Sequence, residues 1–144
     1  MEELIPNSIE IESVLKLDVN VRLEYLIKRI SGQDLLVSIG TEEGYSTLSG
    51  NEQFPICLPI FPNTTFAKRY IQDTGGNEVP SIITRSDFMS KWIDGMIKDG
   101  YGVIPFPVYN PVKMRIEGAV LSPEQFRDMI IFQIVNDYGE YDDE

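Results

Sequence analysis

The sequence predicts an α+β protein, a single domain in which an antiparallel or mixed sheet of about five strands is covered by about four helices. Three observations carry this. Short runs rich in β-branched and aromatic residues, at 35–39, 54–61 and 101–106, are bounded by glycine and proline turns. Between them lie stretches with apolar residues at helical spacing, most of them opened by a side chain able to cap a helix. The segments come in the order helix, three strands, two helices, two strands, helix, which is not the strict alternation of a parallel α/β fold. A chain of 144 residues is the size of one domain. It buries roughly two-thirds of its unfolded surface, so the core needs no staples.

Residues 1–17 set Ile9, Ile11, Val14, Leu15 and Leu17 among acids. They read either as a short helix or as an N-terminal arm laid over the domain proper, residues 18–136. Asp18 caps a helix over 19–31. Leu23, Leu26, Ile27 and Ile30 face inward, Arg22, Glu24, Lys28 and Arg29 lie mostly on the wet face, and Gly32 is the stop.

Residues 35–39 and 45–48 form a hairpin across the turn at 40–44, and 54–61 is the third strand of a meander. Pro55 and Pro59 donate no ladder hydrogen bond, so this strand is an edge or is bulged along part of its length. Pro62 ends it. Asn63 then caps a helix over 64–72, with Phe66, Ala67, Tyr70 and Ile71 inward.

Residues 73–77 are a loop and 81–83 a short extended segment. Thr84 caps a helix to Lys98, whose stripe is Phe88, Trp92, Ile93, Met96 and Ile97. Trp92 therefore reads as core packing ahead of ligand stacking. Gly95 weakens this helix and Gly100 ends it. A strand over 101–106, an irregular loop over 108–113 and a strand over 114–120 follow. Ser122-Pro-Glu-Gln125 opens the last helix, with a serine cap, proline in the first position and a capping-box glutamine. Phe126, Met129, Ile130 and Ile134 face its core side. Residues 137–144 read as an acidic, disordered tail.

Composition excludes more chemistry than it suggests. There is no histidine, which removes Ser-His-Asp and Cys-His nucleophile activation and histidine metal sites. The single cysteine, Cys57, excludes an internal disulfide and a thiolate zinc cluster, and within its apolar run it reads as a buried hydrophobe. No carboxylate cluster has calcium-loop spacing, and no glycine-rich loop opens a helix to cradle phosphate. No catalytic, cofactor or metal residue is therefore assigned, and an enzyme ranks third among the functional readings.

The net charge of −11 repels nucleic-acid backbones and anionic membranes, and suits either simple solubility or a basic protein partner. The first residues lack a basic segment and a long apolar core, which predicts a cytoplasmic protein without a secretory signal.

Two helix starts, at Asn63-Thr64 and at Ser122, offer backbone amides to an anion, against the simpler account that each side chain caps its own helix. The proline-aromatic loop 106–111 suits a recognition surface as well as it suits packing. The candidate binding surface is Asn63, Thr64, Phe106, Tyr109 and Asn110.

Arg22-Leu-Glu-Tyr25, Leu58-Pro-Ile-Phe-Pro62, Asp87-Phe-Met-Ser-Lys-Trp92-Ile, Lys98-Asp-Gly100, Phe106-Pro and Leu121-Ser-Pro-Glu124 follow one another in order. This series resembles the bacterial domain-of-unknown-function family numbered twenty-seven fifty, over residues 21–130. The chain departs from the family pattern at Phe61, where the family usually has tryptophan, and in the inserted 108–117 segment. The resemblance implies a small, acidic, cytosolic α+β protein and transfers no functional residue. A fainter likeness runs to the N-terminal domain of type III secretion enhancer proteins. Immunity proteins of polymorphic toxins share the size, acidity and lack of catalytic groups, an analogy of character. The leading expectation is a non-catalytic module that binds a protein partner. A small-molecule or anion binder is the alternative.

Overall fold

The computed structural model describes residues 3–141. The described residues form five helices and three small sheets, so the α+β class stands. Helix α1 is Ser8–Leu15, so the part of the stretch before Asp18 that carries Ile9, Ile11, Val14 and Leu15 is helical. Asn7 caps it through the Glu10 amide at 2.9 Å. Helix α2, Val19–Gln33, starts at the Asp18 cap as the sequence predicts. It runs through Gly32 and ends instead at Asp34, whose φ of 60° turns the chain into the first strand. Aspartate tolerates that left-handed conformation better than most residues, and its carboxylate pairs with Arg85 at 2.8 Å.

Strand β1, Leu35–Thr41, forms a hairpin with β2, Gly44–Tyr45. The expected meander stops there. The next residues switch sheets: β3, Leu48–Ser49, pairs with β4, Ile56–Ile60, and not with β1. The end of β4 meets β1 at the Val37–Phe61 bridge, where the two backbones exchange hydrogen bonds of 3.1 and 2.7 Å. β3 covers only the first two residues of β4, so the Pro59 side of the strand is free of a ladder partner, as its proline requires. The Ser38 hydroxyl donates to the Pro59 carbonyl at 2.7 Å across that gap.

Helix α3 is Thr64–Thr74, and β5, Val79–Thr84, lies antiparallel to β1 along six residues. Helix α4 covers residues 85–99 in three pieces: Arg85–Asp87 and Ile93–Asp99 are α-helical, and Phe88–Trp92 is π-helical. Strand β6, Gly102–Pro105, then inserts parallel to β4, a pairing that needs the whole intervening α3-β5-α4 crossover. The expected 108–113 loop is in fact strand β7, Val108–Asn110, paired with β8, Arg115–Glu117, in a projecting hairpin. Helix α5, Pro123–Tyr138, has the predicted capping box. Asp137 and Tyr138 close this helix and do not begin a tail. Of the predicted tail, residues 142–144 lie outside the described residues.

The main core gathers Leu26, Ile30, Leu58, Phe66, Phe88, Val103, Phe106, Phe126 and Ile130 between α2, α4, α5 and the β4–β6 pair. A second cluster, Leu35, Val37, Ile39, Phe61, Ala67 and Tyr70, fills the space between β1 and α3. Cys57 is fully buried, as expected. Arg22 is not on the wet face: it is 3% exposed. Its guanidinium is drawn in because three carbonyls from separate segments, Leu17, Phe106 and Glu117, accept from it.

Candidate functional site

The five residues singled out by sequence do not form one surface. Asn63 is buried; its side-chain oxygen accepts from the Phe66 amide at 2.9 Å and its amide donates to the Leu4 carbonyl at 3.3 Å. Thr64 donates its backbone N–H and its hydroxyl to the two carboxylate oxygens of Glu3. The chain's own acid thus occupies the anion-seeking start of α3, the outcome the helix dipole favours. Phe106 is 1% exposed and packs edge-on against Phe66, centroids 4.9 Å apart.

Asn110 spends its side chain inside its hairpin, accepting from the Val112 and Lys113 amides and donating to Glu117. Tyr109 borders a groove of about 290 Å³. The Arg69 side of that groove is filled by ion pairs to Glu12 and Asp73. The Ser122 start is likewise closed by its capping box.

A different place carries the more open geometry. A mostly apolar cavity of about 410 Å³ lies between α4 and the β2–β3 crossing, walled by Tyr45, Thr47, Leu58, Trp92, Met96 and Tyr101. The π-helical turn sets its Trp92 wall. In a plain α-helix Phe88 and Ile93 would point about 140° apart. The wider turn lets Phe88, Ile93 and Met96 share the core, where they are 0%, 1% and 5% exposed. Trp92 is left at the margin, half-buried, instead of in the core line that the sequence predicts. Such turns recur at functional places for this reason: they re-aim one side chain.

At that margin Trp92 meets Tyr45, ring planes 89° apart and centroids 4.6 Å apart. The Tyr45 hydroxyl is held by Ser81 at 2.9 Å, so the second ring is fixed by β5. Gly95 forms part of the wall, and a Cβ built there meets nothing within 4 Å. Packing does not require this mid-helix glycine; its effect is to leave the cavity open. Two charges stand at the rim. Lys91 leans on Asp87 at 3.7 Å. The exposed Asp99 carboxylate has no hydrogen-bond or ion-pair partner among the described residues.

Sequence reasoning missed this site because Tyr45 and Trp92 are far apart in the chain and the π turn has no local signature. The one usable signal was a glycine inside an otherwise strong apolar stripe.

Other surfaces carry openings of comparable size. Phe132 is 74% exposed on α5, beside a groove of about 460 Å³ between α2 and α5. Val112 and Met114 crown the β7–β8 hairpin. A polar cavity of about 670 Å³ lies over Arg22, with Lys16 and Arg115 balanced by Asp18 and Glu117. Among the described residues no group of three or more aspartate, glutamate or cysteine side chains is placed to hold a metal ion. No helix among them is long and apolar enough to cross a membrane.

A family model described as "Protein of unknown function (DUF2750)" matches residues 23–130, a span that contains every residue of the Trp92 cavity. No curated protein and no solved structure matches the chain, so the fainter secretion-enhancer likeness gains no support.

Proposed function

The chain belongs to the DUF2750 family of proteins of unknown function, and from that premise we propose that it is a non-catalytic cytoplasmic module that binds a basic protein partner at the Trp92 cavity. The observation that carries this reading is the cavity itself: two fixed aromatic rings, an apolar floor and an unpaired acid on a chain of net charge −11. Buried aromatic anchors in a rimmed pocket are what most binding energy in protein interfaces comes from. The cavity opens at the surface, with Tyr45 42% exposed, so it suits one side chain delivered by a partner whose own surface then closes it.

The absence of histidine and the burial of the sole cysteine, which pushes its thiol pKa up, support a module without nucleophilic chemistry. An immunity-type role, with a basic toxin as the partner, is one form of this reading, and the genes adjacent to this one test it.

A second reading is a small-molecule binder, favoured by a volume within the range of ligand pockets, about 300–1,000 Å³. Parallel affinity capture and a small-molecule thermal-shift screen separate the two. Capture of a specific partner, with hydrogen-exchange protection over 91–101, supports the module. No partner beside a small molecule that raises Tm overturns it.

A further inference from the structure

We propose that the inside corner between Trp92 and Tyr45 is a receptor for a cationic side chain, a lysine or arginine of the partner. This rests on the interaction reading above and names the chemistry at its centre. A cation is attracted to the face of an aromatic ring within about 6 Å of its centre, most strongly to tryptophan. The rings meet edge to face, 89° apart with centroids 4.6 Å apart, so a cation in the angle between them lies over one π face and beside the second ring. Neither ring is free to collapse into the other's place: the Tyr45 hydroxyl is tied to Ser81, and Trp92 lies nearly parallel to the buried Phe88, planes 25° apart.

The charge at the rim selects the sign. Asp99 has no partner among the described residues and lines the same cavity, so its carboxylate is available to the head group of an entering lysine or arginine. Lys91 is the one opposing charge on the lining, and its ammonium is directed at Asp87. The long apolar stem of the entering side chain would pack over Met96 and the open face of Gly95. A neutral aliphatic side chain would gain only that stem contact.

The test uses the full chain, whose single tryptophan makes fluorescence a site-specific reporter. The probes are N-acetyl-lysine methylamide, its arginine counterpart and the neutral norleucine counterpart. The expected result is saturable binding of both cations about tenfold tighter than norleucine, the size of one exposed cation–π contact plus one surface ion pair. Asp99→Asn should weaken cation binding about threefold. Gly95→Leu, which fills open space and is checked for unchanged circular dichroism, should abolish it.

Norleucine binding as well as lysine, or cation binding that survives Gly95→Leu, overturns the proposal. Failure of the broader reading looks different. A partner captured equally by wild type and Gly95→Leu would overturn both the cation corner and the Trp92 cavity as the docking place, and leave a protein-binding module that docks elsewhere. Cation binding in a chain that captures no protein would do the reverse.

Discussion

Arg22 donates its Nε–H to the Phe106 carbonyl at 3.2 Å and holds its guanidinium carbon 6.0 Å from the Phe106 ring centre. The ring contact is at the outer limit of a cation–π interaction, so the hydrogen bonds dominate. Phe106 needs them. Its φ of 52° turns the chain sharply out of β6, and Arg22 accepts the cost of burial by satisfying carbonyls from three segments. Arg22→Met keeps the apolar stem and strands those carbonyls. Each costs about 1–3 kcal/mol if left dry, so a loss of about 3 kcal/mol is expected by urea denaturation. Arg22→Lys should fall between, because an ammonium lacks the planar fork.

Burial, with a smaller push from the Glu78 carboxylate, raises the Tyr70 hydroxyl to about 12. A pKa raised in the fold favours the neutral phenol. Its contribution is full below the unfolded value of about 10 and is lost as pH rises through about 12. Stability should therefore drop steeply over that window, and Tyr70→Phe should flatten the drop. Spectrophotometric titration of the tyrosines in both proteins locates the step, since one of seven tyrosines is removed.

Cys57 is 0% exposed, and desolvation pushes its thiol up. Iodoacetamide should label the native protein only through opening of the β4–β6 pair, and label it fully in urea. Gly102 lies against this thiol so closely that a Cβ there would sit 2.7 Å from the Phe54 Cβ and 3.0 Å from the Cys57 sulfur. Gly102→Ala should accordingly speed labelling under native conditions, as the sheet pair opens more often.

Gly95 is the reverse case, a mid-helix glycine with open space where a Cβ would go. Gly95→Ala should stabilise the protein by about 0.5–1 kcal/mol, the helix-propensity difference alone. Thermal denaturation reads it. A loss of stability would mean that the α-helical piece after the π turn needs glycine for its backbone and not for the room it leaves.

Local signals in this chain were legible and long-range ones were not. The Asp18, Asn63, Thr84 and Ser122 caps form as read, because each involves atoms within three residues. The meander failed because Tyr45 and Leu48 belong to different sheets, a choice made by their partners β1 and β4 and not by their own pattern. The parallel β4–β6 pairing joins Cys57 to Gly102 across two helices and a strand, which no local spacing encodes.

Arg22 looked wet because a charged side chain is almost never buried unless it is paired; its carbonyl partners arrive from as far as Glu117. The Asn63 start was a sound physical candidate for an anion, and the anion came from Glu3 of the same chain. Trp92 had the right spacing for the core until five residues of π helix moved it aside.

The central claim, that Trp92 and Tyr45 form the binding corner, is tested most directly by one peak. The chain has one tryptophan, so its ¹H–¹⁵N spectrum has one indole cross-peak. Titration with a lysine-containing peptide should move that peak saturably, together with the backbone amides of Gly95 and Asp99, while the Phe132 and Asn110 amides stay in place. A Trp92 indole peak that does not move while the amides of α5 or of the β7–β8 hairpin shift would contradict the account and place binding elsewhere on the molecule.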